Sequence, residues 1–87
     1  GMTVKTYRPN PQARVRAVQW TGENWSEIPA EWKTRRAVEL TQDGRLVCYT
    51  LAGPSPVTPG SYVAEGEVGE VYPVRELIFE RRWEPVT

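Results

Sequence analysis

Eighty-seven residues give room for one hydrophobic core and not for two. Eleven basic side chains balance eleven acidic ones, with seven against five in residues 1–44 and four against six in residues 45–87, a split too mild for a dedicated nucleic-acid or membrane-surface protein. Histidine is absent and Cys48 is the single cysteine, which removes Ser-His and Cys-His nucleophile pairs, histidine metal ligation and an internal disulfide.

Gly1 before Met2 reads as a remnant of tag removal, so the domain is expected to span residues 2–87. No apolar run approaches the ~20 residues that a bilayer crossing needs, and a soluble, cytoplasmic protein is the expectation. Four tryptophans and four tyrosines stand against one phenylalanine, so some of these rings must fill the core.

Residues 2–12 contain two prolines and little periodicity, which predicts an extended arm or a short edge strand. Ala13–Trp20 alternates as a strand, with Ala13, Val15 and Ala17 on one face and Arg14, Arg16, Val18 and Trp20 on the other. Thr21-Gly22 ends it. Asn24-Trp25-Ser26-Glu27 has the spacing of a capping box, and Pro29 limits that helix while offering a start for another through Glu31 and Trp32.

Arg36–Thr41 and Arg45–Leu51 flank Asp43-Gly44, a strong hairpin signal. Both faces of the second run are fairly apolar, as expected of a central strand. Ala52–Pro59 holds three prolines and is a loop or an edge strand. Pro59-Gly60 turns into the strand Ser61–Glu65, and Gly66–Gly69 leads into Glu70–Val74, where Pro73 demands an edge or a strand end. Arg75–Glu80 predicts one helical turn, with Val74, Leu77 and Ile78 on one side, and Arg81–Val86 a last strand carrying Trp83. The fold class is mainly β (α+β): a small antiparallel barrel or roll of about six short strands with one or two single-turn helices.

Pro59-Gly60-Ser61-Tyr62-Val63, Gly66, Gly69-Glu70-Val71-Tyr72-Pro73 and Ile78-Phe79-Glu80 form an ordered pattern. Tyr7-Arg8 and Ala17-Val18-Gln19-Trp20-Thr21-Gly22-Glu23-Asn24 precede it. Together they resemble a group of small phage and prophage proteins whose members read roughly PGDY(I/V)…G…GE(F/V)YP…IFE near the C-terminus and A(F/V)QWTG(D/E)N near the N-terminus. Ser61 stands where the group has aspartate, and Trp83 where it has tyrosine. The resemblance implies a virus-associated protein of uncharacterised function in a bacterial host cell, with Gly60, Tyr62, Gly66, Gly69, Glu70, Tyr72, Pro73 and Phe79 as its structural framework. It brings no catalytic residues.

Three kinds of site compete. Trp25 and Trp32, on short turns and more exposed than Trp20, are the best protein-contact residues, or else lids over one end of the fold. Joined by Lys33, Arg35 and Arg36, and by Arg14 and Arg16, they would instead make a single-strand nucleic-acid platform, against which the zero net charge weighs. Glu65, Glu67 and Glu70 surround a hairpin loop. They read as solvated carboxylates before a cation site or an acid–base pair, with Glu70 placed to cap the turn by accepting amide hydrogen bonds. Gly60, Gly66 and Gly69 are turn glycines, since no helix N-terminus with Lys-Ser or Lys-Thr follows them. Cys48 fits a buried hydrophobe better than a reactive thiol.

The expectation is therefore a non-enzymatic protein-binding module, its partner another protein or a second copy of itself. No cofactor, metal or membrane is expected. A small nucleic-acid-binding barrel is the alternative, and a carboxylate enzyme comes last.

Overall fold

The computed structural model describes residues 3–86; Gly1, read above as a remnant, and Met2 and Thr87 lie outside the described residues. Among the described residues six strands form two antiparallel three-stranded sheets. The first joins β1 (Arg16–Gln19), β5 (Tyr62–Glu65) and β6 (Val71–Val74) in the order β1-β5-β6. The second joins β2 (Val38–Leu40), β3 (Leu46–Thr50) and β4 (Gly53–Val57) in chain order. β6 lies against β3 and β4, so the sheets close into a roll and not a continuous barrel.

Local chemistry explains the strands. The Asp43-Gly44 hairpin closes where Thr41 N–H donates to the Arg45 carbonyl at 2.8 Å and Arg45 N–H to Thr41 Oγ1 at 3.0 Å. The proline-rich run is an edge strand: β4 pairs with β3 alone, setting Pro54 opposite Tyr49 and Pro56 opposite Val47. Pro73 likewise sits on the edge strand β6, where its missing donor leaves no gap in the sheet.

Trp20, Ile28, Trp32, Val38, Leu46, Cys48, Val57, Val63 and Val71 fill the space between the sheets. Full burial of a large apolar side chain stabilises by about 1.5–3 kcal/mol, and in a chain this short a few such rings dominate. The strand covered on both faces is β5, where adjacent residues Val63 and Ala64 are both fully buried. β3 is the central strand of its own sheet, as its sequence suggested, but it turns only Leu46 and Cys48 to the core, while Tyr49 and the neighbouring Leu51 are exposed. The difference lies in what covers the outer faces. On β3 the outward Tyr49 is exposed, whereas on β5 the ring of Phe79 stacks at 4.1 Å on Tyr62, which shares a face with Ala64.

Phe79 belongs to α2 (Glu76–Arg82), about two turns long where one was expected, and it consumes the predicted last strand. Trp83 N–H still donates to the Phe79 carbonyl at 2.9 Å, and residues 83–86 continue without strand pairing. Arg81 and Arg82 in the last turn favour the helix through its dipole. Leu77 and Ile78 point away from the core.

Between the sheets a 3₁₀ turn (Trp25–Glu27) leads into α1 (Ala30–Thr34). The capping box does not form. Asn24 Oδ1 accepts from Thr21 N–H at 2.8 Å, and Asn24 Nδ2 donates to the Gln19 carbonyl at 2.8 Å and to Glu27 Oε1 at 2.6 Å, so the side chain braces the exit from β1 instead. α1 ends in a Schellman pattern. Ala37 N–H donates to the Trp32 carbonyl at 2.9 Å and Arg36 N–H to the Lys33 carbonyl at 3.1 Å, with Arg36 left-handed at φ 60°. No helix among the described residues is long and apolar enough to cross a membrane.

Candidate functional site

The two stretches that carry the family-like pattern lie 40 residues apart in sequence and meet in space. β1 pairs with β5 from Arg16 opposite Glu65 to Gln19 opposite Tyr62. The ladder then continues into the turn: Gly60 N–H donates to the Trp20 carbonyl at 2.7 Å, Trp20 N–H to the Ser61 carbonyl at 2.9 Å, and Gln19 Nε2 to the Gly60 carbonyl at 3.0 Å. Gly60 is required here by its φ of 97°. Ser61 is buried and its hydroxyl lies 3.0 Å from that of Thr58, so the polar atom at this position serves the turn. Tyr62 hydrogen-bonds Glu80 through its hydroxyl at 2.8 Å, which pushes the phenol pKa up.

At the Gly66–Gly69 hairpin it is the backbone carbonyl of Glu70, and not its carboxylate, that accepts an amide hydrogen bond. Gly66 N–H is taken by the Glu70 carbonyl at 2.9 Å and Gly69 N–H by the Gly66 carbonyl at 3.1 Å. The Glu70 carboxylate instead packs on Gly66, where a Cβ would fall 1.7 Å from Oε1, and that oxygen is buried without a hydrogen-bond partner. Glu67 is exposed. No group of three or more His, Cys, Asp or Glu among the described residues could hold a metal ion.

Glu65 has a different role. Its carboxylate binds Arg16 at 2.7 Å and Arg35 at 2.7 Å, and Arg16 also reaches Glu31 at 2.6 Å. This network ties β1, α1 and β5 together. The Arg16 hydrogen bond holds the Glu65 carboxyl below the usual range, helped by the nearby Trp32 indole, whose buried N–H stops short of a hydrogen bond. Glu31 is lowered first by its own backbone N–H and then by Arg16, and Arg16 is raised by both carboxylates.

The predicted aromatic–basic group is thereby broken up. Trp32 is fully buried, not half-exposed, with the Arg16 guanidinium 5.8 Å from its ring. Its ring belongs to the same buried cluster as Ile28, Ala37, Val38 and Leu46, so the core takes it up. Trp25 is half-buried against the core, and Lys33 Nζ stands 4.4 Å above its ring. Arg35 is engaged by Glu65, and Arg36 is exposed. Of the interleaved set, two separate cation–ring pairs remain, Lys33 on Trp25 and Arg16 by the buried Trp32. Cys48 is fully buried, and desolvation raises its thiol to about 11, far from reactive.

A feature not visible in the sequence is a groove of about 1050 Å³ on the outer face of the β1-β5-β6 sheet. Val15, Ala17 and Tyr62 form its floor, Phe79 and Trp83 one wall, and the chain around Pro9 and Pro11 the other. These residues come from three separate stretches of chain, so only the alternation of Ala13, Val15 and Ala17 hinted at it. Compared with protein families, with curated proteins and with solved structures, the chain finds no match.

Proposed function

We infer that this protein is a protein-contact module of phage or prophage origin, working by binding and not by a reaction of its own. The observation that carries the reading is the aromatic-walled groove together with the apolar residues that α2 and the tail leave in water. Leu77 is 70% exposed, Ile78 54% and Val86 80%, all on α2 or the tail that leaves it. A run of apolar side chains that the fold itself leaves uncovered is the kind of surface a partner covers. The viral origin, and with it a bacterial cytoplasm, rests on the sequence resemblance alone.

Photo-crosslinking tests it. A photoreactive residue at Ala17, in the groove floor, should give a covalent adduct with a protein in the host cell, and the same residue at exposed Glu23 should give none. Equal labelling at both positions, or none at Ala17, contradicts the reading.

A further inference from the structure

The chain carries a segment suited to the groove but directs it elsewhere. Residues 3–10 run without helix or strand and are exposed throughout, with Val4 99% exposed and Tyr7 84%. Pro9 and Pro11 fix their own φ and hold Arg8 and Asn10, the residues before them, in extended backbone. A turn follows, in which Ala13 N–H donates to the Asn10 carbonyl at 2.9 Å and Gln12 N–H to Asn10 Oδ1 at 2.8 Å. Pro9, Asn10 and Pro11 line the groove, whereas residues 3–8 are exposed and do not line it. Eight extended residues reach roughly 26 Å, enough to meet a neighbouring molecule. The Cα radius of gyration agrees: it is 14.4 Å, against about 12 Å for a compact domain of this length.

Resting on the reading of the groove as a contact surface, we propose that the groove of one copy receives residues 3–8 of a second copy, reciprocally, in a two-fold dimer. Val4 and Tyr7 supply apolar side chains for the Tyr62, Phe79 and Trp83 surface. Lys5 and Arg8 supply cations for Glu80 and Glu84, which line the same groove. Arg14 and Arg82 also line it; Arg14 is turned back onto the Ala13 carbonyl at 3.0 Å. Because arm and groove belong to one chain, a two-fold exchange fills both grooves and closes the assembly. Three of the four sheet edges offer a poorer route: β4 carries Pro54 and Pro56, β6 carries Pro73, and β2 is three residues long.

Sedimentation equilibrium of the full chain, from roughly 1 µM to 1 mM, spans weak to moderate association. The wild type should form a dimer. Lys5→Glu with Arg8→Glu, two exposed sites that leave the core untouched, should raise the dissociation constant about tenfold or more. Glu80→Lys with Glu84→Lys should do the same, and the four changes combined should restore the dimer. A monomer across the whole range overturns the proposal. So does a dimer indifferent to the arm charges, or one that the combined variant fails to restore. The Ala17 crosslink separates the two ideas: an adduct of two chains supports the exchange, an adduct of another mass sinks it while the contact reading stands, and no adduct ends both.

Discussion

The β1-β5-β6 sheet is treated in opposite ways at its two ends. Where β1 leaves the sheet, Trp20 is buried, its backbone bonds to Gly60 and Ser61, and Asn24 and Gln19 add side-chain braces. On the outer face the groove stays open, and Val4 and Tyr7 of the arm, Leu77 of α2 and Val86 of the tail stand in water. The first region spends its apolar and hydrogen-bonding groups on the fold; the second keeps them available. In so small a domain the separation teaches that stability and contact occupy different residues, and substitutions should sort accordingly.

The largest effect belongs to the interior. Trp32→Ala removes a fully buried ring and should cost about 3–5 kcal/mol, close to the whole stability of a domain near the low end of roughly 5–15 kcal/mol. Urea unfolding followed by circular dichroism should show the cooperative transition lost or shifted far down. A shift under about 1 kcal/mol would return Trp32 to the surface and revive the aromatic–basic platform.

Arg36→Gly should act in the other direction. The left-handed φ of 60° burdens arginine and not glycine, so a gain of about 0.5–1 kcal/mol is expected in the same unfolding measurement. A loss would mean that the arginine side chain holds the α1 corner by contacts of its own.

Glu65→Gln should cost under about 1 kcal/mol at neutral pH, because its partners Arg16 and Arg35 are half-exposed and screened. Its signature is pH dependence. The folded-state pKa of Glu65 is lowered, so the stabilisation is present above the unfolded value of about 4.3 and is lost as pH falls through the folded value. Melting temperature against pH should therefore have a shallower acid limb in the variant. Identical limbs would show that the network contributes nothing.

Leu77→Ser should be the quietest in stability, within about 0.5 kcal/mol, since the side chain is 70% exposed. Any clear loss in thermal unfolding would mean that α2 packs its apolar residues in solution and does not present them.

Much of the fold could be read from local punctuation. Asp43-Gly44, Gly66–Gly69 and Pro59-Gly60 sit at turns because backbone geometry decides them within a few residues, and Pro54, Pro56 and Pro73 fall on edge strands for the same reason. What the sequence withheld depends on long-range placement. Whether Trp32 faces in or out is set by which side of α1 meets the core, and Glu65 meets Arg16 only because strand register brings together residues 49 apart. The strand expected at Arg81–Val86 failed because α2 runs on through Arg82 and no neighbour pairs with the residues beyond it. Of the proposed site residues, Trp25 and Lys33 do meet. The groove escaped because three distant segments build it.

Amide hydrogen exchange read at low and at high protein concentration tests the division of labour most directly. The amides of Trp20, Gly60 and Ser61 should exchange slowly in both samples. Those of residues 3–8, and of Glu84 and Val86, should exchange at once in the dilute sample and become protected in the concentrated one. Outer segments that stay unprotected at every concentration, or new protection at the Trp25–Lys33 corner instead, would contradict the account.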